Sequence, residues 1–176
     1  MRHAESDSEA LQERLAAFAP RVYGLLIRLI GRRDVAEDLT QETLLRAFRG
    51  LKTYRPEGKF RAWIFRIATN AARDWVRRQG RETVLSLESR RGGLPPDRGA
   101  EATPDSGLAR RERTARLEAA LARLPRPDRE VILLRFYGEL AFKEIAEATG
   151  EPLGTVLARA HRALKKLGNL IPEEEL

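Results

Sequence analysis

The chain has 176 residues, room for one ordinary domain or two small ones, and no cysteine, which excludes disulfides and thiolate metal sites. Its net charge is +7, but residues 49–81 hold ten Lys/Arg against Glu57 and Asp74, a local +8 that leaves −1 for everything else. No apolar run approaches the roughly 20 residues that cross a bilayer, and "MRHAESDSEA" lacks the apolar stretch of a secretory signal, so a soluble cytoplasmic protein without membrane insertion is expected.

Apolar residues recur at helical spacing nearly throughout, which predicts an all-α protein. Leu11, Leu15, Phe18, Val22, Leu25 and Leu29 form the first stripe; Pro20 predicts a kink or interruption, and Gly31 an end. "DVAE" then reads as a capping box with Asp34 as cap and Glu37 three residues on. The helix it opens carries Val35, Leu39, Leu44, Ala47 and Phe48 and stops near Gly50. "LKTYRPEGK" is a loop punctuated by Pro56 and Gly58.

The third helix is "FRAWIFRIATNAARDWVRR", residues 60–78, which holds both tryptophans of the chain. Phe60, Ile64, Ile67, Ala68, Ala71 and Trp75 make a packing face, and Arg66, Asn70, Arg73 and Arg77 a polar stripe headed by Trp63. Tyr54 and Arg55 stand in the loop before it. Rings stack on unpaired bases for roughly 1–3 kcal/mol each, and guanidinium groups hold the backbone. This mixture suits single-stranded or melting DNA better than closed duplex; the plainer alternative is that both tryptophans are core, the better reading for Trp75.

From Ser86 to Leu108, ten of 23 residues are Gly, Pro or Ser and none is aromatic, too little apolar surface to offset ordering entropy. A flexible linker over 86–110 between small helical domains at 1–85 and 111–176 is expected. The second domain resumes with Leu117, Leu121 and Leu124, breaks at Pro125 and Pro127, and continues through "DREVILLRFYG".

A helix-turn-helix follows. Counting from Phe142, Ala146 is fifth, where crossing helices demand a small side chain. Gly150 is ninth, where the chain turns through positive φ, and Val156 is fifteenth, the plug of the second helix onto the first. Pro152 suits the opening of that helix. Val156, Ala160, Ala163, Leu164 and Leu167 are its expected buried stripe; Thr155, Arg159, Arg162 and Lys166 stand on another side, fit for the major groove. His161 is a surface or contact residue; with only His3 far away in sequence, no metal site and no cofactor is expected.

Together these segments closely resemble an extracytoplasmic-function (ECF) sigma factor of bacterial RNA polymerase. "DVAEDLTQETLLRAF" is similar to the helix of conserved region two that grips the polymerase clamp, which implies that Asp38, Leu39, Gln41, Glu42 and Arg46 meet the core enzyme. The residue 60–78 helix is similar to the segment that recognises and opens the minus-ten element. The resemblance implies promoter contacts there from Tyr54, Arg55, Lys59, Trp63, Arg66, Asn70, Arg73 and Arg77, with the loop Tyr54 to Lys59 cupping a flipped base. Residues 124–167 are similar to region four, which implies that Thr155, Arg159, His161, Arg162 and Lys166 face the minus-thirty-five element. The linker would thread toward the polymerase active centre and RNA exit path. The implied partners are bacterial core RNA polymerase, promoter DNA and, as for many members of that family, an anti-sigma factor.

"GTVLARAHRA" departs from the family pattern: Leu157 stands where a basic residue is common and Ala158 where serine is common. Upstream affinity, its salt dependence or its sequence preference is therefore altered. Ala141 likewise lacks the capping hydroxyl usual before the first helix of the motif. A stand-alone helix-turn-helix regulator binding operator DNA is the alternative, but leaves the aromatic, basic helix unexplained. An enzyme acting on nucleic acid is disfavoured by the lack of paired carboxylates, a phosphate-cradling loop or a nucleophile with a positioned base. A purely structural adaptor would be indifferent to neutralising Arg66, Arg73 and Arg77.

Overall fold

The computed structural model describes residues 2–54, 59–82 and 104–171; Arg55, the side chain of Leu11 and residues 86–103 of the expected linker lie outside them. Among the described residues the architecture is all-α, with no strand, and no helix is long and apolar enough to cross a membrane.

Helix α1 (Arg2–Ile30) is continuous through Pro20. The proline removes one internal hydrogen bond, but it and Ala16, the residue four before it, are exposed, while Phe18 and Val22 on the opposite side still pack into the core. Gly31 ends the helix at φ 75°, as its spacing predicts. Helix α2 (Arg33–Gly50) begins one residue before Asp34, so the capping box does not form; Arg32 is the cap residue and makes no side-chain cap. Asp34 instead pairs with Arg32 at 2.5 Å and Glu37 with Arg33 at 2.8 Å. A 3-10 turn (Leu51–Thr53) follows, then α3 (Phe60–Glu82); Pro56 and Gly58, read as the punctuation of a loop, lie outside the described residues. These three helices share a core of Val22, Leu25, Leu26, Leu29, Leu39, Ala47, Phe60, Ile64, Phe65 and Ala68. Phe48, expected among the apolar contacts of α2, faces solvent beside Leu45.

Helix α4 (Pro104–Ala122) starts inside the stretch read as linker. Leu121 and Leu124 are buried, while Leu117 is exposed. Helix α5 (Arg126–Ile132) runs into a π-helical turn, Leu133–Tyr137, closed by Gly138, where an added Cβ would meet the Leu134 carbonyl at 2.7 Å. Helices α6 (Phe142–Thr149) and α7 (Leu153–Leu170) form the helix-turn-helix. Gly150 is left-handed at φ 69° and Val156 is fully buried, as their places in the motif require. At the start of α6, Glu144 reaches back to the Ala141 amide at 2.7 Å. Ala141 has no oxygen to return that bond, so only half of a capping box exists. Ala160 and Ala163 complete the buried stripe of α7, but Leu164 does not: it is 47 % exposed.

The two halves pack together. Helix α3 lies against α6, and α1 against α5 and the π-helical turn. Tyr137 fits over Gly24 of α1, where a Cβ would fall 1.9 Å from its hydroxyl. Two glycines of the helix-turn-helix make opposite predictions. Gly150→Ala forces a left-handed alanine and is expected to cost about 1–2 kcal/mol. Gly154, in the first turn of α7 with open space around it, should accept alanine with a gain of up to ~1 kcal/mol. Thermal unfolding checks both; equal shifts in Tm would contradict the turn geometry.

Candidate nucleic-acid interface

Three groups of side chains carry the candidate chemistry. The first is an aromatic wall at the start of α3. Trp63 stacks at a tilt on Tyr54, with centroids 4.7 Å apart, and Phe60 lies 5.6 Å from Trp63 and 5.5 Å from Tyr54. The indole rests on Gly50, where a Cβ would stand 3.0 Å from its ring. Trp63, Tyr54 and Trp75 are all half-buried, so each ring combines core packing with an open edge. The tryptophans are thus neither free side chains nor fully core. Arg66 and Asn70 follow on the exposed face of α3, and Arg77 is exposed with Asp74 at 3.0 Å.

The second group is the cation set that the other half of the protein neutralises. Arg73 contacts Glu130 of α5 at 2.9 Å and donates to the Thr149 carbonyl of α6 at 2.8 Å. Lys59 pairs with Glu147 of α6 at 3.1 Å. Glu139 sits between Arg21 at 3.0 Å and Arg61 at 2.7 Å, held there by a backbone φ of 55° that non-glycine residues seldom adopt. Arg126 returns a bond to the Ala72 carbonyl at 3.0 Å. Sequence reading missed Arg61 and all of these carboxylates, because the pairs lie 57 to 118 residues apart in the chain.

The third group is α7. Arg159 is half-buried and gripped by both oxygens of Glu151, at 2.7 and 2.5 Å, while Arg162 reaches Asp128 at 3.2 Å. Thr155 is half-buried; His161 and Lys166 are exposed. Arg73, Arg77, Arg126, Glu130, Glu151 and Arg159 line one cavity of about 270 Å³ between the halves. Residues expected to meet two separate promoter elements therefore converge on one space.

On α2, a shallow cavity of about 470 Å³ gathers Asp38, Gln41, Glu42 and Arg46 with Leu45 and Arg49. Glu42 and Arg46 pair at 2.5 Å. Leu39, expected to touch the core enzyme, is only 3 % exposed and orients the helix from beneath. The apolar surface on this face belongs instead to Leu45 and Phe48.

Residues 15–82 match the family model of sigma-70 region 2, and residues 114–167 that of sigma-70 region 4. The chain belongs to the extracytoplasmic-function sigma factors of RNA polymerase. It is 35 % identical over 175 residues to the RNA polymerase sigma factor CarQ of Myxococcus xanthus, covering 99 % of this chain and 97 % of that one. It is 39 % identical over 149 residues to the ECF sigma factor SigE of Mycolicibacterium smegmatis, covering 85 % of this chain but 56 % of the longer relative. In fold it is similar to the sigma factor RpoE solved with the anti-sigma factor NepR from Bartonella quintana. The TM-score is 0.76 at 24 % identity, over 94 % of this chain and 99 % of that one.

Burial dominates the titration of the contact between the halves. It pushes the Glu130 carboxyl, 5 % exposed, above its ordinary value of 4.5, against the opposing pull of Arg73 and Arg126. It pushes the Arg126 and Arg129 guanidinium groups down. The folded chain therefore holds the Glu130 proton more readily than the unfolded chain. Its contribution to stability is full below the unfolded value and is lost as pH rises through the raised folded one. Glu130→Gln should gain Tm relative to the parent as pH is taken upward from about 4.5, the ordinary carboxylate value. A difference in Tm that stays constant from pH 4 to 8 would contradict this.

Proposed function

We propose that this chain is the subunit that brings bacterial core RNA polymerase to a set of promoters and starts strand separation there. The observation that carries this reading is the arrangement of α3: a preformed aromatic wall beside exposed Arg66 and Asn70, on the same chain as a sound helix-turn-helix. A closed duplex offers no unpaired base to stack on, and a stand-alone operator binder has no use for the wall. Stacking on Tyr54 and Trp63 is worth about 1–3 kcal/mol per base. The amide of Asn70 can read a base edge, and Arg66 and Arg77 can hold the strand.

In this reading residues 1–85 act at the downstream element and on the core enzyme, residues 111–176 act at the upstream element, and 86–110 connect them. The two elements are separated by roughly 25 base pairs, about 85 Å at 3.4 Å per pair. Arg73 and Arg159 line a single cavity, so the closed arrangement cannot span both. Promoter binding requires the halves to part, and the phosphates then replace Glu130, Glu139 and Glu147 as partners of Arg73, Arg61 and Lys59. A protein partner of the anti-sigma class, such as the one bound to the structurally similar RpoE, fits a closed state of this kind. The chain is assigned no catalytic step of its own, and its place of action is the cytoplasm, with the polymerase.

Run-off transcription with bacterial core polymerase on a panel of promoter fragments tests the assignment. The parent should direct specific starts, and should bind duplex DNA weakly without polymerase; tight duplex binding alone with no effect on initiation would support the operator-binder reading instead. Trp63→Ala should lower open-complex formation by about 5- to 150-fold, the stacking range above, with binding to core polymerase unchanged. Leu45→Ser with Phe48→Ser should do the reverse, weakening core binding by about tenfold or more through lost apolar burial. If both variants lose only core binding, the aromatic wall does not touch DNA.

A further inference from the structure

The outward face at the start of α7 is apolar. Leu153 and Leu157 stand one turn apart and are 44 % and 45 % exposed. Gly154 and Ala158, beside them, are exposed and small, and open space surrounds Gly154. The cations expected to read this part of a promoter are placed otherwise: Arg159 is half-buried and held by Glu151, and Arg162 leans back to Asp128. Lys165 and Lys166 are exposed, but further along the helix.

In a helix-turn-helix the N-terminal residues of the second helix meet the base edges. The buried plug Val156 and the left-handed Gly150 fix which side of α7 that is, and it is the side carrying Leu153, Gly154, Leu157 and Ala158. The first turn and a half of that side carries no hydrogen-bonding side chain; His161, exposed one turn beyond Leu157, is the first. The one apolar feature the major groove displays is the C5-methyl group of thymine. Resting on the upstream-element reading of α7, we propose that Leu157 and Leu153 read thymine methyl groups, and that Gly154 and Ala158 let the helix sit deep enough for them to do so. Leucines four residues apart are about 6 Å apart along the axis, close to two base steps of 3.4 Å. The pair therefore suits two thymines within one short run. Arg162, Lys165 and Lys166 follow where the helix leaves the groove and suit phosphates, which position without specifying. Leu157 in place of a base-reading cation thus shifts recognition from hydrogen bonding to shape and methyl contact.

The test uses holoenzyme and a promoter that it transcribes, with each thymine of the upstream element replaced singly by deoxyuridine, which removes only the methyl group. Burying one methyl contributes about fourfold in affinity. The parent should lose about fourfold at one or two positions and nothing elsewhere. 5-Methylcytosine at a cytosine one step along the same groove should leave the parent's affinity unaltered, since only the seated methyl counts. Leu157→Ala and Leu153→Ala, both at exposed sites, should each lose sensitivity at one position while keeping the footprint. If the element is protected but deoxyuridine changes nothing at any position, methyl reading is wrong and the sigma-factor assignment stands. If the sensitivity persists in the double alanine variant, other side chains carry it and the proposal fails. If no upstream protection occurs at all, the assignment of α7 to that element fails first.

Discussion

Arg73 leaves α3 beside the buried Ala71 and Ala72 and ends between the Glu130 carboxylate and the Thr149 carbonyl. A guanidinium at a half-closed interface needs an anion, and here the second half of the chain supplies it. Lys59 and Arg61 are satisfied in the same way, by Glu147 and Glu139. The rest of the arrangement follows from this pairing, because it decides which face of the helix-turn-helix lies against α3 and which is left outward. The two exposed pairs, Lys59–Glu147 and Arg61–Glu139, contribute only about 0–1 kcal/mol each and weaken with salt. The packing of Tyr137 over Gly24 adds to them. A contact built this way holds its shape yet yields to a competitor, which is what a protein with two DNA-facing halves requires.

The aromatic wall obeys a second constraint. A tryptophan proposed to accept a base cannot be loose, since ordering it on binding would consume the gain from stacking. Trp63 is ordered beforehand by Tyr54, Phe60 and the bare backbone of Gly50. Any side chain at Gly50 would push the indole outward. The wall therefore depends on the end of α2 as much as on α3, and the same helix carries the apolar pair Leu45 and Phe48 on its other side. In the proposed reading, downstream DNA contact and polymerase contact are thereby fixed relative to one another by one rigid element.

Much of this was legible in the sequence where a local rule has a single outcome. Gly150 and Val156 declared the helix-turn-helix because only a left-handed glycine and a buried plug satisfy that turn. Gly31 declared the end of α1 for the same reason. Pro20 misled, because a helix tolerates proline where the ring and the turn it leaves unbonded face solvent, as Pro20 and Ala16 do. Asp34 misled because Arg32 competes for its carboxylate before the cap can form. Leu164 and Phe48 fit the spacing of a buried stripe and face solvent, since periodicity marks apolar residues without saying what will cover them. The pairs between the halves were not legible: no local pattern links Arg21 to Glu139 or Arg73 to Glu130. Arg159 was legible as a cation on the right helix, but not as one already held by Glu151.

The central claim is that carboxylates of the second half stand where promoter phosphates later bind, so that the halves must separate for function. The chain has no cysteine, so spin labels placed through Ala17→Cys and Asn169→Cys, both at exposed sites, report one distance without background. Electron–electron resonance should give a single short distance for the free chain and an increase of tens of ångströms, on the scale set by the ~85 Å between elements at 3.4 Å per pair, in the open complex with core polymerase and promoter. An unchanged distance in a transcriptionally active complex would contradict the account.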